Sequence, residues 1–190
     1  MIFAKIDFIN LLPFHIYIKK NIHSNQLKAI IEYKKSYPSF INNKFKKRKV
    51  DSAFISSIAS RNEKNLDFGI IAKNEVLSVL LIQGIEEDDF QSQTSNALAK
   101  VLGLKGKVLI GDKALRFFHD NQNLEKYDLA KEWKNKYNLP FVFAVLCFNK
   151  NKIRLEKLTK KINKKHIKIP QYILEQYSKR RGVSKTNILE

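Results

Sequence analysis

Cysteine is almost missing from this chain. The single Cys147 in 190 residues excludes an internal disulfide. Its place in the apolar run FVFAVLCF reads as a buried small hydrophobe rather than a reactive thiol, and a reducing compartment follows. Metal-ligand spacing is missing too. His15, His23, His119 and His166 are scattered and, with one cysteine, form no ligand pattern, so neither a structural metal nor a cofactor is expected. The opening MIFAKIDFINLLPF lacks a basic leader and an uninterrupted apolar region. No later stretch approaches the roughly 20 apolar residues that span a bilayer. Neither secretion nor membrane insertion is indicated, and a cytoplasmic protein is expected. No internal repeat is visible.

Acidic residues are also scarce, at 18 against 36 lysines and arginines, a formal charge of +18. Such a charge permits binding to nucleic acid or an anionic surface through counterion release. The lysines, however, share their segments with asparagine and isoleucine, as in INNKFKKRK, and read as a general bias and a solvated basic surface. The one segment that favours nucleic acid is SKRRGVSKTNILE, where two helices around Gly182 would imitate a helix-turn-helix. A hydrophobic share of 44% beside 28% charged residues is that of a folded globular chain.

Short apolar runs rich in β-branched and aromatic residues recur: IFAKIDFI, DSAFIS, LDFGII, VLSVLLI, KVLIGD and FVFAVLCF. Their lengths predict buried strands. Helical stretches lie between them. Pro38 and Ser39 open one, and SNALAKVLG places Leu98, Val101 and Leu102 on one face before stopping at Gly103. Leu129, Trp133 and Tyr137 repeat at helical spacing, as do Leu155, Leu158 and Ile162. Alternating strands and helices define an α/β class. The acidic, glutamine-rich GIEEDDFQSQ after VLSVLLI marks a composition shift. It predicts one lobe over residues 1–83 and 144–190 and a second over 84–143, with VLSVLLI and FVFAVLCF as the crossing segments. The chain ends at KTNILE within a helix-like stretch, so a further C-terminal segment is expected.

Several polar residues stand where strands end. Asn10, before Leu11, Leu12 and Pro13, either caps the turn or offers an amide that donates and accepts at once. Ser78 interrupts VLSVLLI, so its hydroxyl needs a backbone partner or a ligand. Ser56 and Ser57, at the end of DSAFISS, either cap a helix or expose its amides to an anion. Thr94 and Ser95 open a helix whose first turn suits a carboxylate, whether or not they also cap it. Gly111 lets backbone approach a ligand, and the following Asp112 reads as a helix N-cap. Phe141, Phe143 and Trp133 read as packing residues.

Four segments, KIDFINLLPF, VDSAFISSIASRN with EVLSVLLI, SQTSNAL with VLIGDKAL, and DLAKEWKNKYNLPFVFAV, occur in this order across much of the chain. Together they resemble the chorismate dehydratase family of the futalosine route to menaquinone. The resemblance implies a two-lobed, periplasmic-binding-protein-like (type II) α/β fold with a ligand cleft between the lobes. It also implies a reaction: chorismate loses its ring hydroxyl and a neighbouring ring proton, giving 3-[(1-carboxyvinyl)oxy]benzoate and water. Asn10 and Ser78 then match catalytic positions. Thr94 and Ser95 match a pair that holds a substrate carboxylate, and Ser56, Ser57 and Gly111 complete the substrate-binding set. The chain departs from the family pattern between Gly103 and Lys107, where members carry an additional strand and connection, so the second lobe is expected to be shortened. None of the matched positions is an obvious histidine or lysine base. Glu75, Asp112 or the substrate's own enolpyruvyl carboxylate takes the ring proton. A solute-binding module that closes on a small anion without chemistry would use the same groups, and a nucleic-acid binder ranks below both. The oligomeric state has no signature in the sequence.

Overall fold

A computed structural model describes residues 1–160, 162 and 167–189 of the chain. His166 and the lysines beside it lie outside the described residues. The order of elements is β1 (Phe3–Ala4), α1 (Leu12–Asn21), α2 (Asn25–Tyr33), α3 (Pro38–Lys46), β2 (Ser52–Ser56), β3 (Asn65–Ala72), β4 (Val79–Ile82), α4 (Gln93–Leu102), β5 (Lys107–Ile110), α5 (Asp112–Asp120), β6 (Lys126–Asp128), α6 (Leu129–Tyr137), β7 (Phe141–Phe148), α7 (Lys152–Thr159), α8 (Gln171–Arg181) and α9 (Lys185–Leu189). Single-turn 3₁₀ segments occupy Ile9–Leu11 and Ser57–Ala59. The protein is a mixed α/β chain with two sheets. None of its described helices is long and apolar enough to cross a membrane.

The chain divides into two compact units, Met1–Gly69 with Ala144–Pro170, and Ile70–Phe143 with Gln171–Glu190. The first carries the sheet ordered β1-β2-β7-β3. Its β1 runs parallel to β2, and β2 runs antiparallel to β7 from Ser52 opposite Phe148 to Ser56 opposite Ala144. Every residue of β2 is buried, as an uninterrupted apolar run requires. Phe14 on α1 packs edge-on against Phe54, ring centres 4.9 Å apart, and meets Phe3 at 5.8 Å and Phe68 at 5.9 Å. One aromatic cluster thus joins helix and sheet.

The second unit carries an antiparallel sheet ordered β5-β4-β6. Central β4 faces Ile110 to Lys107 on one side and Asp128 to Lys126 on the other. Leu80 and Leu81 in β4 are fully buried. Trp133 packs against Tyr137 at 4.3 Å and against Phe141 at 5.2 Å, and Phe141 meets Phe143 at 4.7 Å, consistent with packing roles. Two helices flank Gly182, which adopts φ 64°. Here Arg181 pairs with Asp112 at 3.0 Å, and Arg180 stacks on Tyr177.

Several expectations change in detail. IFAKIDFI is a strand only at Phe3–Ala4, followed by one bridge from Ile6 to Ser36. Its interior Lys5 is buried and turns to the carboxylate of Glu32, 3.1 Å away. On α4 the buried face is Thr94, Ser95, Leu98 and Ala99, while Val101 is 55% exposed. The expected first division, after Gln83, differs from these units because β4 pairs on both edges with β5 and β6, inside the second unit. The chain passes between units within β3, after Gly69, and within β7, after Phe143. Residues 171–190 group with the second unit, where the Arg181–Asp112 ion pair ties α8 to α5.

Candidate active site

Within the first unit, Asn10 lies on the 3₁₀ turn Ile9–Leu11, exposed and directly ahead of α1. The apolar residues around it, Ile9, Leu11 and Leu12, are buried and fix the turn. Pro13 sits in the first turn of α1, where its missing N–H is not needed. Asn10 does not cap the helix: the residue at that position is Leu11, and it makes no side-chain cap bond. Ser56 is buried and fully engaged, its hydroxyl accepting from Asn42 Nδ2 at 2.7 Å while its N–H donates to Asn42 Oδ1 at 3.2 Å. That reciprocal pair makes Ser56 a clamp between β2 and α3. Ser57 is half-buried and starts the 3₁₀ turn, with its carbonyl accepting from Ser60 Oγ at 3.0 Å.

In the second unit, Ser78 does not interrupt a strand. It stands one residue before β4, half-buried, in a bend whose preceding residue, Leu77, has φ 55°. The left-handed region is uncommon for leucine and marks a backbone held by its surroundings. The Ser78 carbonyl accepts from Gly111 N–H at 2.8 Å. Gly111, with φ 66° and ψ −147°, occupies a conformation open essentially to glycine alone and serves as the N-cap residue of α5. The structure thus brings Ser78 and Gly111 together at the ends of adjacent strands. Asp112 is the first residue of α5 rather than its cap, and its carboxylate faces Arg181. Glu75 is exposed and pairs with Lys131 at 3.3 Å. Asn10 and Ser78 lie in different units, because β1 and β4 belong to different sheets.

Thr94 and Ser95 lie within the first turn of α4 and are 4% and 2% exposed. The cap is Ser92. Its hydroxyl accepts from Ser95 N–H at 3.2 Å and lies 2.9 Å from the Ser95 hydroxyl. The loop leading in is equally tight. Asp89 N–H donates to Asn96 Oδ1 and the Asn96 amide donates back to the Asp89 carbonyl, both at 2.9 Å, while the buried Asp89 carboxylate pairs with Lys113 at 2.6 Å. These bonds give α4 a rigid start at Thr94 and Ser95, while the charge of Lys113 is matched by Asp89.

Sequence reasoning missed Ser92, Asp89 and Asp128. Ser92 carried a usable signal, a serine three residues before another small polar residue at the head of an apolar repeat. Asp128 did as well, as an aspartate immediately ahead of the LAKEW helix. The Asp89–Lys113 pair joins residues 24 positions apart in the chain, and nothing local announces it. Among the described residues no group of three histidine, cysteine, aspartate or glutamate side chains could hold a metal ion.

A family model described as menaquinone biosynthesis matches residues 90–182, the stretch holding Thr94, Ser95, Gly111 and Asp128. A chorismate dehydratase of Campylobacter jejuni is 50% identical over 187 residues, covering 96% of this chain and 83% of that protein. Among solved structures, protein AF1704 from Archaeoglobus fulgidus matches with a TM-score of 0.58 and 12% identity, over 98% of this chain and 84% of its own. That likeness concerns the fold alone. With half of its residues shared along almost its whole length, the chain belongs to the chorismate dehydratase family of menaquinone biosynthesis.

Proposed function

We propose that this protein is a hydro-lyase that converts chorismate to 3-[(1-carboxyvinyl)oxy]benzoate and water in the cytoplasm. The observation that carries this reading is the 50% identity to a chorismate dehydratase over 96% of the chain. We take the two units to be the two lobes of a periplasmic-binding-protein-like fold with a shortened second lobe. The passage of β3 and β7 from one unit into the other supports that architecture.

The chemistry asks little of the protein beyond placement. Loss of the ring hydroxyl and the neighbouring ring proton leaves an aromatic ring, which drives the reaction forward. The enzyme must hold a dianion in one conformation and aid departure of hydroxide. Asn10 and Ser78 are the neutral groups suited to this role. Neither side chain is taken up by a hydrogen bond with the described residues, and both are at least partly exposed. Asn10 orients a substrate oxygen, and Ser78 hydrogen-bonds near the reacting end. Thr94 and Ser95 receive a carboxylate at the start of α4, with Gly111 allowing close backbone approach and Ser57 in a supporting place. Ser56 contributes by holding its strand end through Asn42.

The proton acceptor in this reading is the substrate's own enolpyruvyl carboxylate. Glu75 and Asp112 are already engaged by Lys131 and Arg181. Incubation of the purified chain with chorismate tests the function. An aromatic product lighter by one water is the expected result, whereas saturable binding of chorismate without product would make this a solute-binding module.

A further inference from the structure

We infer that Asp128 is a positioning residue that presets Ser78 for the reaction, an inference that rests on the reading of Ser78 as a substrate-contacting group. Asp128 is the last residue of β6 and the N-cap of α6, and it is 7% exposed. One carboxylate oxygen, Oδ1, accepts from the N–H groups of Ala130 and Lys131, both at 3.0 Å, which is ordinary capping. The other, Oδ2, reaches 51 and 52 residues back in the chain and accepts from Leu77 N–H at 2.7 Å and Val76 N–H at 2.9 Å. A cap needs only the first oxygen. The second binds the N–H groups of the two residues immediately ahead of Ser78.

Those residues are where a hold is needed. Leu77 sits at φ 55°, a region that a branched side chain leaves for an ordinary conformation unless its backbone is tethered. On the other side, the Ser78 carbonyl is fixed by Gly111 N–H at 2.8 Å. Ser78 thus follows a residue whose N–H is tied to Asp128, and its own carbonyl is tied to Gly111, so the placement of its backbone rests on both anchors. A left-handed leucine held by a buried carboxylate next to a site residue is the pattern of backbone strain kept for function.

Asp128→Asn separates the two oxygens' roles. The asparagine retains one acceptor for the helix cap but presents an NH₂ group to the Val76 and Leu77 donors, which releases the loop. The expected result is a kcat lowered by about a hundredfold, as for a displaced catalytic group, with KM changed much less. Adding Leu77→Gly to that variant should restore several-fold of the lost kcat, because glycine adopts positive φ without the tether. A purely structural Asp128 would show no such rescue. If Asp128→Asn does not fold, Leu77→Val serves instead: it leaves the cap intact but opposes positive φ, and it should lower kcat. Ser78→Ala run in parallel keeps the two ideas apart. Loss of turnover in Ser78→Ala with wild-type kcat in folded Asp128→Asn or Leu77→Val, or a kcat loss in Asp128→Asn that Leu77→Gly does not relieve, overturns the positioning role and leaves the site reading standing. Wild-type turnover in Ser78→Ala removes both.

Discussion

Mild acid should loosen the first unit through one histidine. His15 on α1 is 4% exposed, and its Nε2 lies 2.9 Å from the Ile6 carbonyl, which fixes the neutral tautomer with the proton on that nitrogen. Its Nδ1 is buried without a partner. Protonation would therefore place a charged N–H where nothing accepts it. Burial foremost, and then the positive charge of Lys5, lower the His15 pKa from 6.5 to about 4, against the opposing pull of the Ile6 carbonyl, Asp7 and Glu32.

The unfolded chain thus takes up the proton first as the pH falls. The stability at stake is complete above pH 6.5 and is lost on the way down to about 4. Each pH unit in that window is worth about 1.4 kcal/mol, so the whole window amounts to about 3 kcal/mol. Glu32 enters only at the foot of that window. Its burial is outweighed by the hydrogen bond from Lys19 and by Lys5, which hold it at about 2, so its own contribution is lost only below 4.5. Urea unfolding followed by circular dichroism at pH 7 and pH 4.5 should show the loss, since Trp133 fluorescence reports the second unit. His15→Gln keeps a donor for Ile6 but binds no proton, and it should remove most of that pH dependence. An equal slope in wild type and variant would refute the reasoning.

Two further outcomes follow from burial and charge. Thr94→Ala combined with Ser95→Ala should raise the KM for chorismate strongly while costing stability only about 1 kcal/mol, because the Ser92 cap survives; an unchanged KM would take the pair out of the site. Cys147 is fully buried, and burial, with a smaller push from Glu63, raises its pKa to about 12. It should resist iodoacetamide at pH 8 in the native chain and react once denaturant is added, and rapid native labelling would contradict its placement.

The strands that could be read in advance are those whose side chains carry the whole signal. DSAFIS, LDFGII, KVLIGD and FVFAVLCF became β2, β3, β5 and β7, because apolar β-branched runs have few other uses. The short polar KYD of β6 could not be read that way: it is a strand only because β4 offers it an edge. Helix α2 was likewise passed over, though Ser24 caps it through Leu27 N–H. The first crossing between units lies in β3 rather than in VLSVLLI for a similar reason. A strand's apolar pattern does not say which sheet receives it, and β4 found both partners downstream.

At the candidate site, residue types were legible but roles depended on distant contacts. Ser78 was marked by its position in VLSVLLI, yet the bend that presents it is made by Asp128 and Gly111, 50 and 33 residues further along. Ser56 was marked by the same logic as Ser57. Only the fold shows that Asn42 already occupies its hydroxyl.

The most direct test of the account is steady-state turnover of chorismate by the purified chain, with the product identified by mass and ultraviolet spectrum, beside Asn10→Asp and Ser78→Ala. Wild type should release 3-[(1-carboxyvinyl)oxy]benzoate. Asn10→Asp places a negative charge beside an anionic substrate and should be hurt severely. Ser78→Ala should lose about one to three orders of magnitude in kcat if its hydrogen bond tightens in the transition state. No aromatic product from wild type would contradict the function, and near-wild-type turnover by both folded variants would contradict the site.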